Sequence, residues 1–156
     1  MAYSRIVSLL NIRREKTADN DLETRVTAVL HNMGVPAHIK GYHYLREAII
    51  LSIKDSEMIN SVTKLLYPDI AKEYKTTGQK VERAIRNAIE VSWQRGNMDA
   101  MERIFGFSAH TGKGRPTNSE YIARLADELQ LLEELVKEHV LTENNALRLR
   151  EYLLHL

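Results

Sequence analysis

Gln79, Glu82, Arg83 and Arg86 carry the groups that read the edges of nucleic-acid bases. Arginine gives a two-pronged hydrogen bond to guanine, glutamine does the same for adenine, and glutamate accepts from the amino group of cytosine. Helical spacing makes a set of them. With Val81, Ile85, Ala88 and Ile89 turned inward, the four polar side chains share the opposite, outward face, and Lys80 and Asn87 are further candidates for DNA contact. The plain alternative is a solvated surface, since Arg and Glu on the wet side of an amphipathic helix most often only meet water.

The segment before this helix argues for recognition. From Asp69 to Arg86 the residues follow the spacing of a helix-turn-helix, the unit that lays its second helix in the major groove. Ala71 stands where two helices touch and only a small side chain fits, while Ile70, Tyr74, Val81 and Ile85 supply apolar contacts on either side of a polar turn. The turn position usually given to glycine holds Lys75, and Gly78 follows three residues later, so a longer or differently shaped turn is expected.

Longer motifs surround the corner. Gly34-Val35-Pro36-Ala37-His38-Ile39-Lys40-Gly41-Tyr42 and Tyr44-Leu45-Arg46-Glu47-Ala48-Ile49 precede it, and it continues through Val81-Glu82-Arg83-Ala84-Ile85-Arg86-Asn87-Ala88-Ile89-Glu90-Val91. Trp93, Arg95-Gly96-Asn97, Phe105-Gly106 and Pro116-Thr117-Asn118-Ser119-Glu120 follow. From about Val26 to about Leu129 the chain resembles the DNA-binding output domain of the stage-zero sporulation response regulator family. The resemblance implies a compact all-α domain of roughly six helices that binds a short DNA box with a TGTCGAA-like core and helps recruit RNA polymerase. It assigns base reading to Glu82, Arg83 and Arg86, all three of which are present. The family usually has His where Asn87 stands and neither Gly nor Gln at Gly78 and Gln79, so fine sequence preference is open to change. The stretch from Trp93 to Gly106 matches the family's contact with the polymerase sigma subunit, with Gln94, Arg95, Asn97 and Asp99 as candidate contacts. Family members normally carry an α/β phosphoacceptor receiver before this domain. Roughly 25 residues precede it here, so control without a phosphorylation switch is expected.

Composition sets independent limits. A chain of 156 residues with 44% apolar content is one domain by prior, read as a helical extension over 1–24, the helix-turn-helix domain over 25–130 and a helical tail over 131–156. The absence of cysteine excludes disulfides and thiolate metal sites, and no long apolar run or leader pattern is present, which points to the cytoplasm and away from membranes. The net charge of +1 divides unevenly. Lys72 to Arg95 holds six basic against three acidic residues, and Glu120 to Leu156 four against eight, so phosphate contact suits the first segment and not the second.

Helical patterns account for nearly the whole chain, at Ser4 to Arg14, Asn20 to Asn32, Lys40 to Ile53, Ile59 to Leu66 and Met98 to Phe105. Tyr67-Pro68 is expected to separate the fourth of these from the corner. His110 to Pro116, with two Gly, Lys113, Arg115 and Pro116, reads as a mobile basic loop, after which Asn118 or Ser119 can cap the last long helix. Cations and the free N–H groups of a helix start suit DNA phosphates, which makes Lys113, Arg115, Thr117, Asn118 and Ser119 candidate contacts. A nucleotide-phosphate loop does not fit, because five residues lie between Gly106 and Gly112 and Lys113 precedes glycine rather than a hydroxyl.

Other chemistry finds no pattern. His31, His38 and His43 do not fall on one helical face, and neither a nucleophile elbow nor a carboxylate pair stands out, so no metal, no cofactor and no enzyme activity are expected. Trp93 and Phe105 read as core residues. Toward the end, Ile122, Leu125, Leu129, Leu132 and Val136 recur at intervals of three and four, and Leu147, Leu149, Leu153 and Leu154 follow a polar break at Thr142 to Asn145. Such a stripe either folds back on the Ile6 to Leu10 helix or forms a homodimer. The sequence thus reads as a transcriptional regulator, double-stranded DNA being its main partner. The competing class is a protein-interaction module that binds or competes with a full-length sporulation regulator or a kinase of that pathway.

Overall fold

The structure, a computed structural model, describes residues 18–106 and 114–137. The expected helix over Ser4 to Arg14, Lys113, the side chains of Leu132 and Val136, and the leucines beyond Thr142 lie outside the described residues. Within them the regular structure is all-α: α1 (Ala18–Asn32), α2 (Lys40–Lys54), α3 (Glu57–Asn60), α4 (Tyr67–Glu73), α5 (Gly78–Arg95), α6 (Met98–Phe105) and α7 (Asn118–Lys137).

The second helix is the axle of the fold. Gly41, Tyr42, Tyr44, Leu45, Ala48, Ile49 and Ser52 are all buried, more than one face of an amphipathic helix requires, because α2 packs against α5, α7 and α1 at once. Close approach to α5 depends on small residues. A Cβ built on Gly41 would lie 2.1 Å from the Ala84 carbonyl oxygen and 2.8 Å from the Ala88 Cβ. The reading candidates therefore ride on a helix whose rear surface is pressed backbone to backbone onto the core.

The turn after α1 is set by a helix stop. The Val35 N–H bonds the Leu30 carbonyl and Gly34 takes φ +77°, a left-handed residue that only glycine adopts without cost. A Cβ there would also strike the Gly96 backbone nitrogen at 2.7 Å, so the ends of α1 and α5 meet at this point. Beside them a buried chain of hydrogen bonds joins three elements. The Ser92 hydroxyl donates to the Met33 carbonyl at 2.6 Å and lies 2.7 Å from the Tyr121 hydroxyl. A carbonyl only accepts and serine has one proton to give, so Tyr121 donates to Ser92. Burial pushes the Tyr121 phenol far above its ordinary range, which keeps that proton in place.

Between α3 and α4 the backbone departs from the helical pattern of the sequence. No continuous helix runs from Ile59 to Leu66; a single turn at Glu57–Asn60 is followed by a wide helical turn at Val62–Leu66, in which Leu66 N–H bonds the Ser61 carbonyl and Tyr67 N–H the Val62 carbonyl. Pro68 is not a separator either. It sits in the first turn of α4, where its missing N–H has no partner to lose, and the backbone widens just ahead of it, where the proline ring would crowd the carbonyl four residues back.

Candidate nucleic-acid interface

Two helices and one turn present the candidate side chains. In α4, Ile70 and Ala71 are buried, as a packed corner requires, whereas Tyr74 is 37% exposed and stands edge-on to Tyr44 at 5.1 Å. The expected longer or differently shaped turn does not form. Lys75 itself adopts the left-handed conformation at φ 51°, the geometry a glycine would supply there, and Gly78 is the first residue of α5. Thr77 caps α5 by accepting from the Lys80 N–H at 3.3 Å.

Along α5 the inward set is Val81, Ile85, Ala88, Ile89 and Ser92, all buried. Gln79, Lys80, Arg83, Arg86, Asn87 and Gln94 are exposed and Glu82 is half-buried. Arg83 faces directly away from the buried stripe, with Gln79, Glu82 and Arg86 turning to one side of it and Lys80 and Asn87 to the other. The Arg86 guanidinium donates to the Glu82 carboxylate at 2.7 Å, one turn apart on the helix, with the two side chains 52% and 40% exposed. Such an exposed pair contributes little stability, about 0.3–0.5 kcal/mol, but it places the Arg86 guanidinium beside the Glu82 carboxylate. With five N–H donors, the guanidinium retains capacity for a base or phosphate.

Opposite this side of α5 stands the start of α7. Gln79, Glu82, Arg86, Arg115, Thr117, Asn118 and Ser119 line one open cleft of about 850 Å³, floored by Val62, Tyr67 and Ile89. The structure thus brings two sequence-predicted groups together and leaves Lys80, Arg83 and Asn87 outside the cleft. Their individual geometry differs from a uniform set of phosphate donors. Arg115 is paired with Glu90 at 3.0 Å, and the cap of α7 is Thr117, which accepts from the Glu120 N–H at 3.2 Å, rather than Asn118 or Ser119. The Asn118 amide nitrogen donates to the Tyr67 hydroxyl at 3.0 Å and to the Glu82 carbonyl at 3.1 Å. Burial raises the Tyr67 phenol above its ordinary pKa while the Asn118 hydrogen bond opposes the rise.

At the far end of α5, Gln94, Arg95, Asn97 and Asp99 are exposed around the step into α6. The Asn97 side-chain oxygen is taken by the Asp99 and Ala100 N–H groups, at 2.9 and 3.3 Å, as the cap of α6. Trp93 and Phe105 are half-buried rather than fully enclosed: Trp93 meets Phe105 edge-on at 5.5 Å, and Phe105 stacks on Tyr121 at 5.4 Å. His31 and His38 are exposed, His43 stands edge-on to Tyr42, and among the described residues no group of three or more His, Cys, Asp or Glu could hold a metal. Nor does any described helix have the length and apolarity to cross a membrane.

Two further residues contribute. Glu90 lies four residues after Arg86, on the outward arc that already holds Gln79, Arg83 and Arg86, so helical spacing alone could have found it. Tyr67 gave no local signal, because its partner is 51 residues away.

Residues 26–129, two-thirds of the chain, match the family model described as Sporulation initiation factor Spo0A C terminal. That span starts inside α1, takes in the corner and the cleft, and ends at Leu129, a buried residue of α7. With its all-α fold and its exposed helix-turn-helix, the chain belongs to this family and carries the DNA-binding effector domain of a sporulation regulator.

Proposed function

We propose that the protein is a sequence-specific transcriptional regulator that reads a TGTCGAA-like box in double-stranded DNA with Glu82, Arg83 and Arg86 of α5. The observation that carries this reading is the division of α5 into a sealed inner side and an outer side on which Arg83 and Arg86 are exposed and Glu82 already orients Arg86. An inserted helix needs both: a rigid mount, and donors and acceptors free at the groove. Gln79, Lys80 and Asn87 extend the surface along the groove, and Arg115, Thr117 and Ser119 face the neighbouring phosphates, with Lys113 preceding them in the chain. Gln94 and Arg95 at the far end of the same helix, and Asn97 and Asp99 at the start of α6, then lie away from the cleft, where they meet the polymerase sigma subunit. Such a regulator acts in the cytoplasm, where a bacterial chromosome lies.

The test is a gel-shift titration of the full chain against a box-containing duplex and a scrambled one at several stated salt concentrations. Tighter binding to the box by at least about a thousandfold, the lower end for specific regulators, supports direct reading. Equal, weak binding to both would refute it and favour the competing function, a module that binds a full-length regulator or a pathway kinase.

A further inference from the structure

The Asn118 amide makes two hydrogen bonds that tie three elements together, and one of them ends on the backbone of a candidate base reader. We propose that Asn118, braced by Tyr67, is a positioning residue for sequence discrimination: it sets the place of Glu82, and through the Glu82–Arg86 pair the place of Arg86, without itself touching a base. The inference rests on the DNA-reading function given above.

The assignment of donor and acceptor is fixed by chemistry. The Glu82 main-chain oxygen accepts only, so the group 3.1 Å from it is the Asn118 nitrogen, and the same nitrogen lies 3.0 Å from the Tyr67 hydroxyl oxygen. An amide nitrogen has two protons, and here each has an acceptor. Within a helix the Glu82 carbonyl also receives the N–H four residues on, so Asn118 uses its second lone pair. Tyr67 is buried at 6% exposure and belongs to α4, the first helix of the corner, so the brace spans α4, α5 and α7. Among the described residues no side-chain hydrogen bond ties Lys80, Arg83 or Asn87 to another helix; the one at Lys80 is the local Thr77 cap on its N–H. Glu82 is the residue most exposed to a small shift, because a cytosine contact depends on its carboxylate reaching one amino group.

The experiment compares the full-length wild type with Asn118→Asp, which keeps the volume but replaces the donor by a charged acceptor facing the Glu82 carbonyl, its added charge weakening all duplexes alike and cancelling in the ratio of box to scrambled affinity, and with Tyr67→Phe, which removes the phenol acceptor without any change of charge. Binding to the box, to the scrambled duplex and to boxes altered at single base pairs is measured at one salt concentration, together with amide hydrogen exchange of Arg83 to Asn87 without DNA. We expect the ratio of box to scrambled affinity to fall about three- to tenfold for Asn118→Asp and about twofold for Tyr67→Phe, with the loss concentrated at the base pair that Glu82→Ala also affects. In the Glu82→Ala background the same Asn118→Asp change should reduce discrimination by less than twofold. Undiminished loss in that background would mean that Asn118 reads a base itself, and a ratio of box to scrambled affinity unchanged from wild type in both variants would mean that it takes no part in discrimination; either result overturns the proposal. Should the wild type not discriminate the box at all, the DNA-reading function fails first. Faster exchange of Arg83 to Asn87 in Asn118→Asp would then still support the positioning role, and unchanged exchange would overturn it.

Discussion

The two sides of α5 follow opposite rules. Inward, Val81, Ile85 and Ala88 have no exposed surface, Gly41 admits the helix to the core at backbone distance, and Ser92 is held in a fully buried hydrogen-bond chain. Outward, Arg83, Arg86 and Asn87 stand in solvent and the ion pairs formed there are exposed. Stability and recognition are therefore separable on a single helix: inner substitutions should cost folding free energy, and outer ones should cost binding with little effect on melting.

The largest effect is expected at Gly41→Val. Its Cβ would lie 2.1 Å from a backbone oxygen of α5, which cannot swing aside as a flexible side chain would, so α2 and α5 must part. A loss of about 3 kcal/mol or more follows, at or above the usual range for overpacking, and urea unfolding should show it as a lower midpoint or an unfolded chain. A midpoint unchanged from wild type would mean that the crossing of α2 and α5 is loose.

Ser92→Ala comes next. It leaves the buried Tyr121 O–H without its acceptor and the Met33 carbonyl without that donor, and an unsatisfied buried group costs about 1–3 kcal/mol. Adding Tyr121→Phe removes the stranded donor, so the double variant should be less destabilised than the sum of the two single ones. Strict additivity in urea unfolding would break the hydrogen-bond chain into independent contacts.

On the outer side, Arg83→Ala should weaken binding to the box by about 1–3 kcal/mol, the range for one bidentate base contact, while shifting the unfolding midpoint hardly at all. Titration of box and scrambled duplexes checks both parts. Equal losses on the two would make Arg83 a phosphate contact, and a large stability loss would end the separation of the two sides of the helix.

The inner side was far more legible in the sequence than the cleft. Val81, Ile85, Ala88 and Ile89 announce themselves by spacing, and Met98 to Phe105 was bounded correctly because Asn97 and Gly106 punctuate it. Pro68 misled because a proline disrupts a helix interior yet fits a first turn, and which of these applies depends on where the preceding backbone widens. Lys75 misled for a related reason: a lysine in the left-handed region is rare, so its residue type gives no sign of φ 51°. The links of Asn118 to Tyr67 and Glu82, and of Arg115 to Glu90, were hidden because they join residues 25 or more positions apart and leave no periodic trace.

The smallest effect, and the one that tests how sharply the outer side ends, concerns Arg115. In the free protein it is shared with Glu90 at 3.0 Å, and both side chains are close to half exposed, 43% and 46%. A pair this wet is worth at most about 1 kcal/mol, so a DNA phosphate can take Arg115 from Glu90 at little cost. If it does, Arg115→Ala should weaken box and scrambled duplexes alike and reduce the slope of log affinity against log salt by about one. Glu90→Gln should tighten both duplexes by about two- to fivefold, the equivalent of a surface pair lost, since the competing carboxylate is gone. Combined with Arg115→Ala, that gain should shrink, because a carboxylate with no arginine to hold repels DNA only through its own screened charge. An unchanged salt slope for Arg115→Ala would return the wall of the cleft to plain solvent exposure and confine DNA contact to α5 itself.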